Sequence, residues 1–491
     1  MELSDFKNKR VLVMGIGLHG GGVGVIKFLV EQGAKVLATD LRSKTELADS
    51  LKQLKDLSAS PNQGKHIEYV LGRHRLEDFT DTELVIKNPG VPDNSEFLAA
   101  ARAKGIPIES DIGIFLELCP APIIGVSGTK GKSTTATLIA NIFSQHFPQV
   151  ILAGNIRQSA LTKLSEITKD TIVVLELSSW QLADAKEHKK SPYVAIITNI
   201  LEDHLNRYNA FQDYVEDKKL IHKFQKDKDY LFLNFADQLS RELSKEVKSR
   251  IYFYSTDGST LLKEELPKIN QKARLGAYAK SQKIYYGAAQ EEICDVKDVK
   301  LIGQHNLANV LAAVSVADLY NVPREKIKKA LREFKGLAGR LQLIAEKDGV
   351  KFINDTTATA PDAAIAAIHA VSAHYFPDRV KKGQTKEKHL VLIAGGADKD
   401  LDFTKLGETI ADHIKAVVLL EGTATPKLTQ AITKPEIIKG TTDNMIKAVK
   451  LARSSASDGD IILLSPGCAS FGLFKHEFDR GQKFNEAINS L

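Results

Sequence analysis

Two glycine-rich stretches hold the residue types that grip phosphate. "GVSGTKGKSTT", residues 125–135, ends in Gly131, Lys132 and Ser133, the close of a G-x-x-x-x-G-K-[ST] loop. The first glycine of that pattern belongs at position 126, where Val126 stands, and Gly125 lies one place too early. Small residues at Gly128, Thr129 and Gly131 let backbone N–H groups surround phosphate oxygens. Lys132 supplies a compact positive charge to the β/γ-phosphates, and Ser133 or Thr134 presents a hydroxyl to Mg²⁺. The apolar "APIIGVSG" comes before the loop and "KSTTATLIANIFSQHF" after it, so the order is strand, loop, helix. That context argues against a chance cluster and for ATP.

The other stretch is "GIGLHG", a G-x-G-x-x-G running from Gly15 through Gly17 to Gly20, also between a strand and a helix. Asp40 closes the next strand. Glycines allow close backbone approach, a helix N-terminus attracts a diphosphate, and an acid meets a ribose. This fingerprint fits NAD(P), and it fits any other nucleotide diphosphate equally well.

Elements of α/β type must position both loops. β-branched runs alternate with Ala-rich amphipathic segments, the pattern of stacked βα units and mostly parallel sheets. Three blocks are expected. A Rossmann-like domain over 1–118 contains "RVLVMGIG", "AKVLATD" and "LVIKNPGVP". A central P-loop ATPase domain over 119–337 contains "TIVVLELSS", "VAIITNI", "YLFLNF" and the helical "NLANVLAAVSVADLY". A second Rossmann-like α/β domain over 338–491 contains "GVKFIND", "HLVLIAGG", "AVVLLEG" and "IILLSPG". A chain of 491 residues with 43% hydrophobic content supports several cores. "CPAP" and "FKGLAG" read as hinges, and the lysine-rich "RVKKGQTKEK" as a solvated loop.

Sixty-seven Lys and Arg against 61 Asp and Glu give a formal +6 spread along the chain. That suits acidic small substrates and argues against nucleic acid, which calls for a concentrated basic stripe. Three scattered cysteines, Cys119, Cys294 and Cys468, form neither a disulfide framework nor a zinc site. No apolar run approaches the about 18 residues of a membrane span, and the start lacks a signal-peptide core. A soluble, cytoplasmic, monomeric protein is expected.

"GTKGKST" resembles the phosphate loop of the Mur ligase family, ATP-dependent amino-acid ligases of peptidoglycan precursor synthesis that do not require the first P-loop glycine. Further motifs follow in the family's order over essentially the whole chain: Gly154-Asn155, "LELSSWQL" at 175–182, "TNILEDHLNRY" at 198–208, "GQHNLANVLAA" at 303–313, "GRLQ" at 339–342 and "NDTTAT" at 354–359. "GIGLHG", "NPGVP", "GGADKDLDF" and "SPGCASF" look most like the glutamate-adding branch. The resemblance implies UDP-N-acetylmuramoyl-L-alanine and D-glutamate as substrates and an acyl-phosphate intermediate. It also reconciles the two loops, because one grips the UDP of a carrier and the other a reacting ATP.

Roles follow by the same resemblance. Gly15, Gly17, Leu18, His19, Gly20, Asp40, Arg42, Asn88 and Gly90 would hold UDP, with Asn155 facing the muramoyl group. Gly128, Thr129, Lys130, Gly131, Lys132, Ser133 and Thr134 would hold the ATP phosphates, with His305 and Asn306 near the adenine nucleotide. Arg340 would meet a phosphate and Asp355 the ribose, which implies closure of the third domain over the central one. Ser133, Glu176, His204 and Lys218 would serve Mg²⁺. Glu176 ends an apolar strand, where a solitary charge is costly unless paired or metal-bound. Lys218 aligns with the family's carbamylated lysine, although adjacent Lys219 leaves the register open. An ordinary lysine, with a pKa of about 10.4, repels Mg²⁺, whereas its carbamate is an anion. Lys132, Lys218 and His204 are the catalytic candidates, and Thr359, Lys399, Ser470 and Phe471 the glutamate contacts. Asn306 and Asn309, at the start of an Ala-rich helix, also read as caps.

Three positions depart from the branch's pattern: Thr357 where a lysine is common, Gly472 where an aspartate is common, and Arg157 in place of a glycine. They lie near the amino-acid pocket or the substrate loop, so an L-glutamate-adding enzyme is the alternative within the same chemistry. A folate polyglutamate ligase would not need the first domain. An NAD(P)-dependent oxidoreductase would rest on "GIGLHG" alone and leave the second loop unexplained, and an ATP-driven switch would hydrolyse ATP without either substrate.

Overall fold

The computed structural model describes residues 1–18, 20–55, 67–155, 159–202, 208, 210–377 and 388–491. The lysine-rich segment read as a loop falls almost entirely outside them.

Three sheets form, one in each expected block. The first has five parallel strands, β1 (Arg10–Met14), β2 (Lys35–Asp40), β3 (Ile67–Leu71), β4 (Leu84–Lys87) and β5 (Ile108–Glu109), in the order β3-β2-β1-β4-β5. β1 and β4, which lie inside the sheet, are buried along nearly their whole length, as strands covered on both faces must be.

The second sheet has nine strands: β6 (Ile123–Ser127), β7 (Val150–Gly154), β8 (Ile172–Glu176), β9 (Val194–Ile197), β10 (Tyr230–Asn234), β11 (Arg250–Ser255), β12 (Ala273–Lys280), β13 (Lys283–Tyr286) and β14 (Glu291–Asp295). Their order is β14-β13-β12-β11-β10-β9-β6-β8-β7, parallel except where β12, β13 and β14 pair as antiparallel neighbours. β9, β6 and β8 are neighbours inside the sheet and almost wholly buried, so the carboxyl ends at which they stop lie side by side. That end of an open parallel sheet is where ligands bind.

The third sheet has β15 (Gln342–Lys347), β16 (Val350–Asn354), β17 (Leu390–Gly395), β18 (Ile414–Leu420), β19 (Ile438–Thr442) and β20 (Ile461–Leu464), in the order β15-β16-β20-β17-β18-β19. Only β15 runs antiparallel to its neighbour.

The described residues pack as two compact units. One comprises Met1–Asp298 with Ala308–Leu331 and holds the first two sheets; the other comprises Val299–Leu307 with Arg332–Leu491. Within the first unit the two sheets are bolted together. Lys87 at the end of β4 pairs with Asp184 at 2.6 Å, both side chains being buried. A Cβ on Gly24 of the helix Gly21–Glu31 would stand 2.7 Å from Ser159 Cβ, so glycine is required for that approach.

Candidate functional site

The phosphate loop of the second sheet leaves β6 and enters the helix Lys132–Ser144 through Gly131, whose φ is +90°. A Cβ there would lie 2.2 Å from Asn309 Oδ1, and one on Gly128 would lie 2.0 Å from Thr198 Oγ1. Both glycines are therefore demanded by close neighbours as well as by backbone conformation. Val126, at the place of the missing first glycine, is a fully buried strand residue paired with Glu176 and Ile196. A glycine has no steric role at that point.

Two ammonium groups meet on one carbonyl. Lys132 Nζ donates to Gly128 O and Thr129 O, each at 2.9 Å, and Lys218 Nζ donates to Gly128 O at 2.8 Å. Lys218 belongs to the helix Phe211–Lys223 and is buried, with Nζ 4.6 Å from the centre of the Tyr214 ring one turn earlier. Lys219 points elsewhere and pairs with Glu216 at 2.6 Å. Of the two adjacent lysines, Lys218 is the one whose side chain reaches the loop. Tyr214 OH also lies 3.0 Å from Thr129 Oγ1, tying this helix to the loop.

Glu176 ends β8 and is 1% exposed. Its Oε1 accepts from Asn155 Nδ2 at 2.9 Å, while Oε2 is buried without a hydrogen-bond partner among the described residues. A buried carboxylate oxygen in that condition calls for a cation. The donor set of Glu176 with the Ser133 and Thr134 hydroxyls near the start of the helix is hard oxygen, which fits Mg²⁺. His204, the other expected ligand, lies outside the described residues, as do His19 and Arg157.

In the first sheet the G-x-G-x-x-G loop is braced from several sides. Asp40 is buried, its Oδ2 accepting Gly17 N–H and its Oδ1 accepting Arg42 N–H, both at 2.9 Å. Ser50 Oγ donates to Gly17 O at 2.7 Å, and Asn88 Oδ1 accepts Gly90 N–H at 3.1 Å. A Cβ on Gly15 would come 2.9 Å from Asn88 Cβ. Asp40 is thus first a brace for the loop. Leu18 and Leu41 are both exposed, and sequence reading picked out only Leu18.

In the second unit, Asp355 follows β16 and is buried, its carboxylate accepting Leu341 N–H at 3.1 Å and the Ser465 hydroxyl at 2.8 Å. Burial pushes its carboxyl up to about 7, against the opposing pull of Ser465, Leu341 and the Arg340 and Arg480 charges. Any contact with a nucleotide uses its remaining lone pairs. Arg340 and Lys399 are exposed, Thr359 is half-buried, Ser470 is buried and Phe471 is 64% exposed. Thr357 donates to Gly339 O at 3.1 Å, and Gly472 adopts φ +98° with open space around it.

The cap reading of Asn306 and Asn309 is corrected. The helix Gln304–Leu319 begins before either residue. Asn306 Nδ2 donates back to Ile302 O at 2.8 Å, and Asn309, buried, accepts from Thr135 Oγ1 at 3.2 Å beside Gly131. Asn309 therefore braces the phosphate loop.

Sequence reading missed two groups of residues. Thr198 and Asn199, just after β9, clasp the loop from the other side. Arg480, in the helix Glu477–Asn489, is wholly buried and donates to Thr356 Oγ1 and O and to the Cys468 and Ala469 carbonyls. It joins the "NDTTAT" loop to the "SPGCASF" loop. Burial lowers its pKa to about 10, which leaves it charged at neutral pH. "TN" lay inside a quoted motif, but an arginine in a polar helix carries no mark of burial.

Comparison with known proteins gives a consistent picture. Residues 9–110 match the family model "Mur ligase MurD-like, N-terminal domain", 126–317 the "Mur ligase middle domain", and 339–468 the "Mur ligase, glutamate ligase domain". A UDP-N-acetylmuramoylalanine--D-glutamate ligase of Roseiflexus sp. (strain RS-1) is 42% identical over 492 residues, covering 98% of this chain and 99% of the relative. The enzyme of the same name from Borreliella burgdorferi strain B31 is 34% identical over 504 residues and covers 100% of both chains. Among solved structures, a UDP-N-acetylmuramate-alanine ligase from Thermotoga maritima superposes with a TM-score of 0.60 at 19% identity, covering 98% of this chain and 99% of that one. A MurF ligase from the same organism, in complex with ADP, gives 0.55 at 16%, covering 99% and 96%. At such identity these two speak for the fold alone.

Proposed function

The chain belongs to the Mur ligase family, and from that premise we propose that it joins D-glutamate to UDP-N-acetylmuramoyl-L-alanine, with ATP as the energy source. The observation that carries this reading is full-length similarity to relatives bearing that activity in their names, at 42% and 34% identity. The site's geometry supports the same chemistry. A carboxylate and an amine do not condense in water without activation. Transfer of the ATP γ-phosphoryl to the substrate carboxylate gives an acyl phosphate, the amine of glutamate attacks its carbonyl carbon, and inorganic phosphate leaves.

Lys132 neutralises the phosphates as charge moves between them. Glu176 would hold Mg²⁺ through its unpaired oxygen, with Ser133 and the His204 that the resemblance implies as further ligands; the ion, when bound, would draw negative charge off the transferring phosphoryl. Lys218, as its carbamate, would be an anion close to the loop, and its burial beside Gly128 supports this assignment over Lys219. The first-sheet loop with Asp40, Arg42, Asn88 and the exposed Leu18 holds the UDP. Arg340 and Asp355 are the third domain's candidates for contact with the nucleotide, and Thr359, Lys399, Ser470 and Phe471 those for glutamate. The domain boundaries we propose are 118/119 and 337/338. The reading requires phosphate release that depends on both substrates. ATP hydrolysis independent of either would overturn it.

A further inference from the structure

A phosphate loop works only if its peptide planes are held in one orientation, and the loop's own Lys132 holds only the Gly128 and Thr129 carbonyls, not the peptides on either side of residue 130. Residue 130 lies between Gly128 at φ +140° and Gly131 at φ +90°, two residues with wide conformational freedom. The restraint comes from 69 positions further along the chain, just past the end of β9. Asn199 Oδ1 accepts Lys130 N–H at 2.9 Å, while Asn199 Nδ2 donates to Lys130 O at 3.0 Å. One side-chain amide thus engages both polar groups of a single loop residue and fixes the peptide planes on either side of it. The neighbouring bonds work in the same direction. Asn199 O accepts Thr129 N–H at 2.9 Å, and the Thr198 hydroxyl donates to Lys130 O at 2.6 Å. Thr129 Oγ1 accepts Leu201 N–H at 2.9 Å.

We propose that Asn199 is a positioning residue for ATP, whose amide clamps the Lys130 backbone and keeps the loop in its phosphate-binding shape. It touches no reacting atom. With the Thr129 and Lys130 N–H groups turned to Asn199, phosphate recognition falls to the first turn of the helix from Lys132, where backbone N–H groups point along the helix axis. The inference rests on the reading that this loop binds ATP.

The test is nucleotide binding by calorimetry together with steady-state kinetics on the full chain, for the wild type, Asn199→Ala and Thr198→Val. Loss of two neutral hydrogen bonds in Asn199→Ala should raise the ADP Kd and the KM for ATP by about 10- to 100-fold. The KM values for the UDP substrate and for glutamate should stay within about twofold, and the thermal midpoint near that of the wild type. Thr198→Val preserves shape, removes one of two donors to Lys130 O, and should raise KM for ATP by about threefold. A merely structural residue would lower the midpoint and the active fraction without moving KM for ATP. That pattern, or an ADP Kd unchanged in Asn199→Ala, overturns the proposal. If Asn199→Ala does not fold, an unchanged KM in Thr198→Val does so. Failure of the wild type itself to bind ADP or ATP would instead remove the reading of the loop on which the proposal stands.

Discussion

Lys132 and Lys218 share the Gly128 carbonyl, yet their replacement should fail in different ways. On the proposed mechanism Lys132→Ala removes a charge acting on the transferring phosphoryl, so kcat should fall by about 100- to 1,000-fold while the UDP substrate still binds. Normal turnover in that variant would contradict the phosphate role. If Lys218 acts as its proposed carbamate, Lys218→Ala should lose most activity and regain part of it when a short carboxylic acid is supplied, since a small anion can stand in for that group. Full activity without the acid would exclude that role. Asp355 offers a third test at this scale. Its carboxyl titrates at about 7 in the folded chain and near 3.9 when unfolded, so the folded state binds the extra proton. The neutral buried acid therefore stabilises the fold at low pH, and the benefit is lost as pH rises through 7. Asp355→Asn keeps an acceptor for Leu341 N–H and carries no charge. Its thermal midpoint relative to the wild type should climb between pH 5 and pH 8, and a constant gap would show that Asp355 does not titrate there. None of this pH behaviour was legible in the sequence, where "NDTTAT" shows an acid but not its burial. Arg480 illustrates the same limit, because only the packing of two distant loops makes its place an interior one.

At the scale of elements, much more was readable. Interior strands such as β6, β8, β9, β17 and β20 are buried on both faces, so their apolar runs announce them. β3, β13, β14 and β19 stand at or near sheet edges, where exposure lets polar residues in, and that dilution hid them. The two glycine-rich loops were visible because glycine spacing is local. What braces them was not, because Asn309, Thr198 and Asn199 come from far along the chain, and an asparagine early in a helix looks like a cap. This bracing predicts that Gly131→Ala is costly. Its φ of +90° and a Cβ 2.2 Å from Asn309 Oδ1 should together lower unfolding stability by about 2 kcal/mol or more. Adding Asn309→Gly should recover the clash but not the backbone strain, which denaturant titration of both variants can separate. Equal stability of Gly131→Ala and wild type would show that the loop adopts another shape.

Over the whole molecule the chain forms three α/β domains, and two glycine-rich loops that no single cofactor explains are what suggested in the sequence that more than one of them takes part. No described helix is long and apolar enough to cross a membrane. Thr357 and Gly472, both in the unit that would receive glutamate, are where this chain departs from its branch's pattern, so the identity of the added amino acid is the central claim to test. The decisive measurement is phosphate release from ATP with UDP-N-acetylmuramoyl-L-alanine, given D-glutamate, L-glutamate or no amino acid in parallel, with the product identified by mass. The account predicts turnover with D-glutamate alone and a product heavier by one glutamyl residue. Turnover with L-glutamate in its place, or phosphate release without any amino acid, would contradict it.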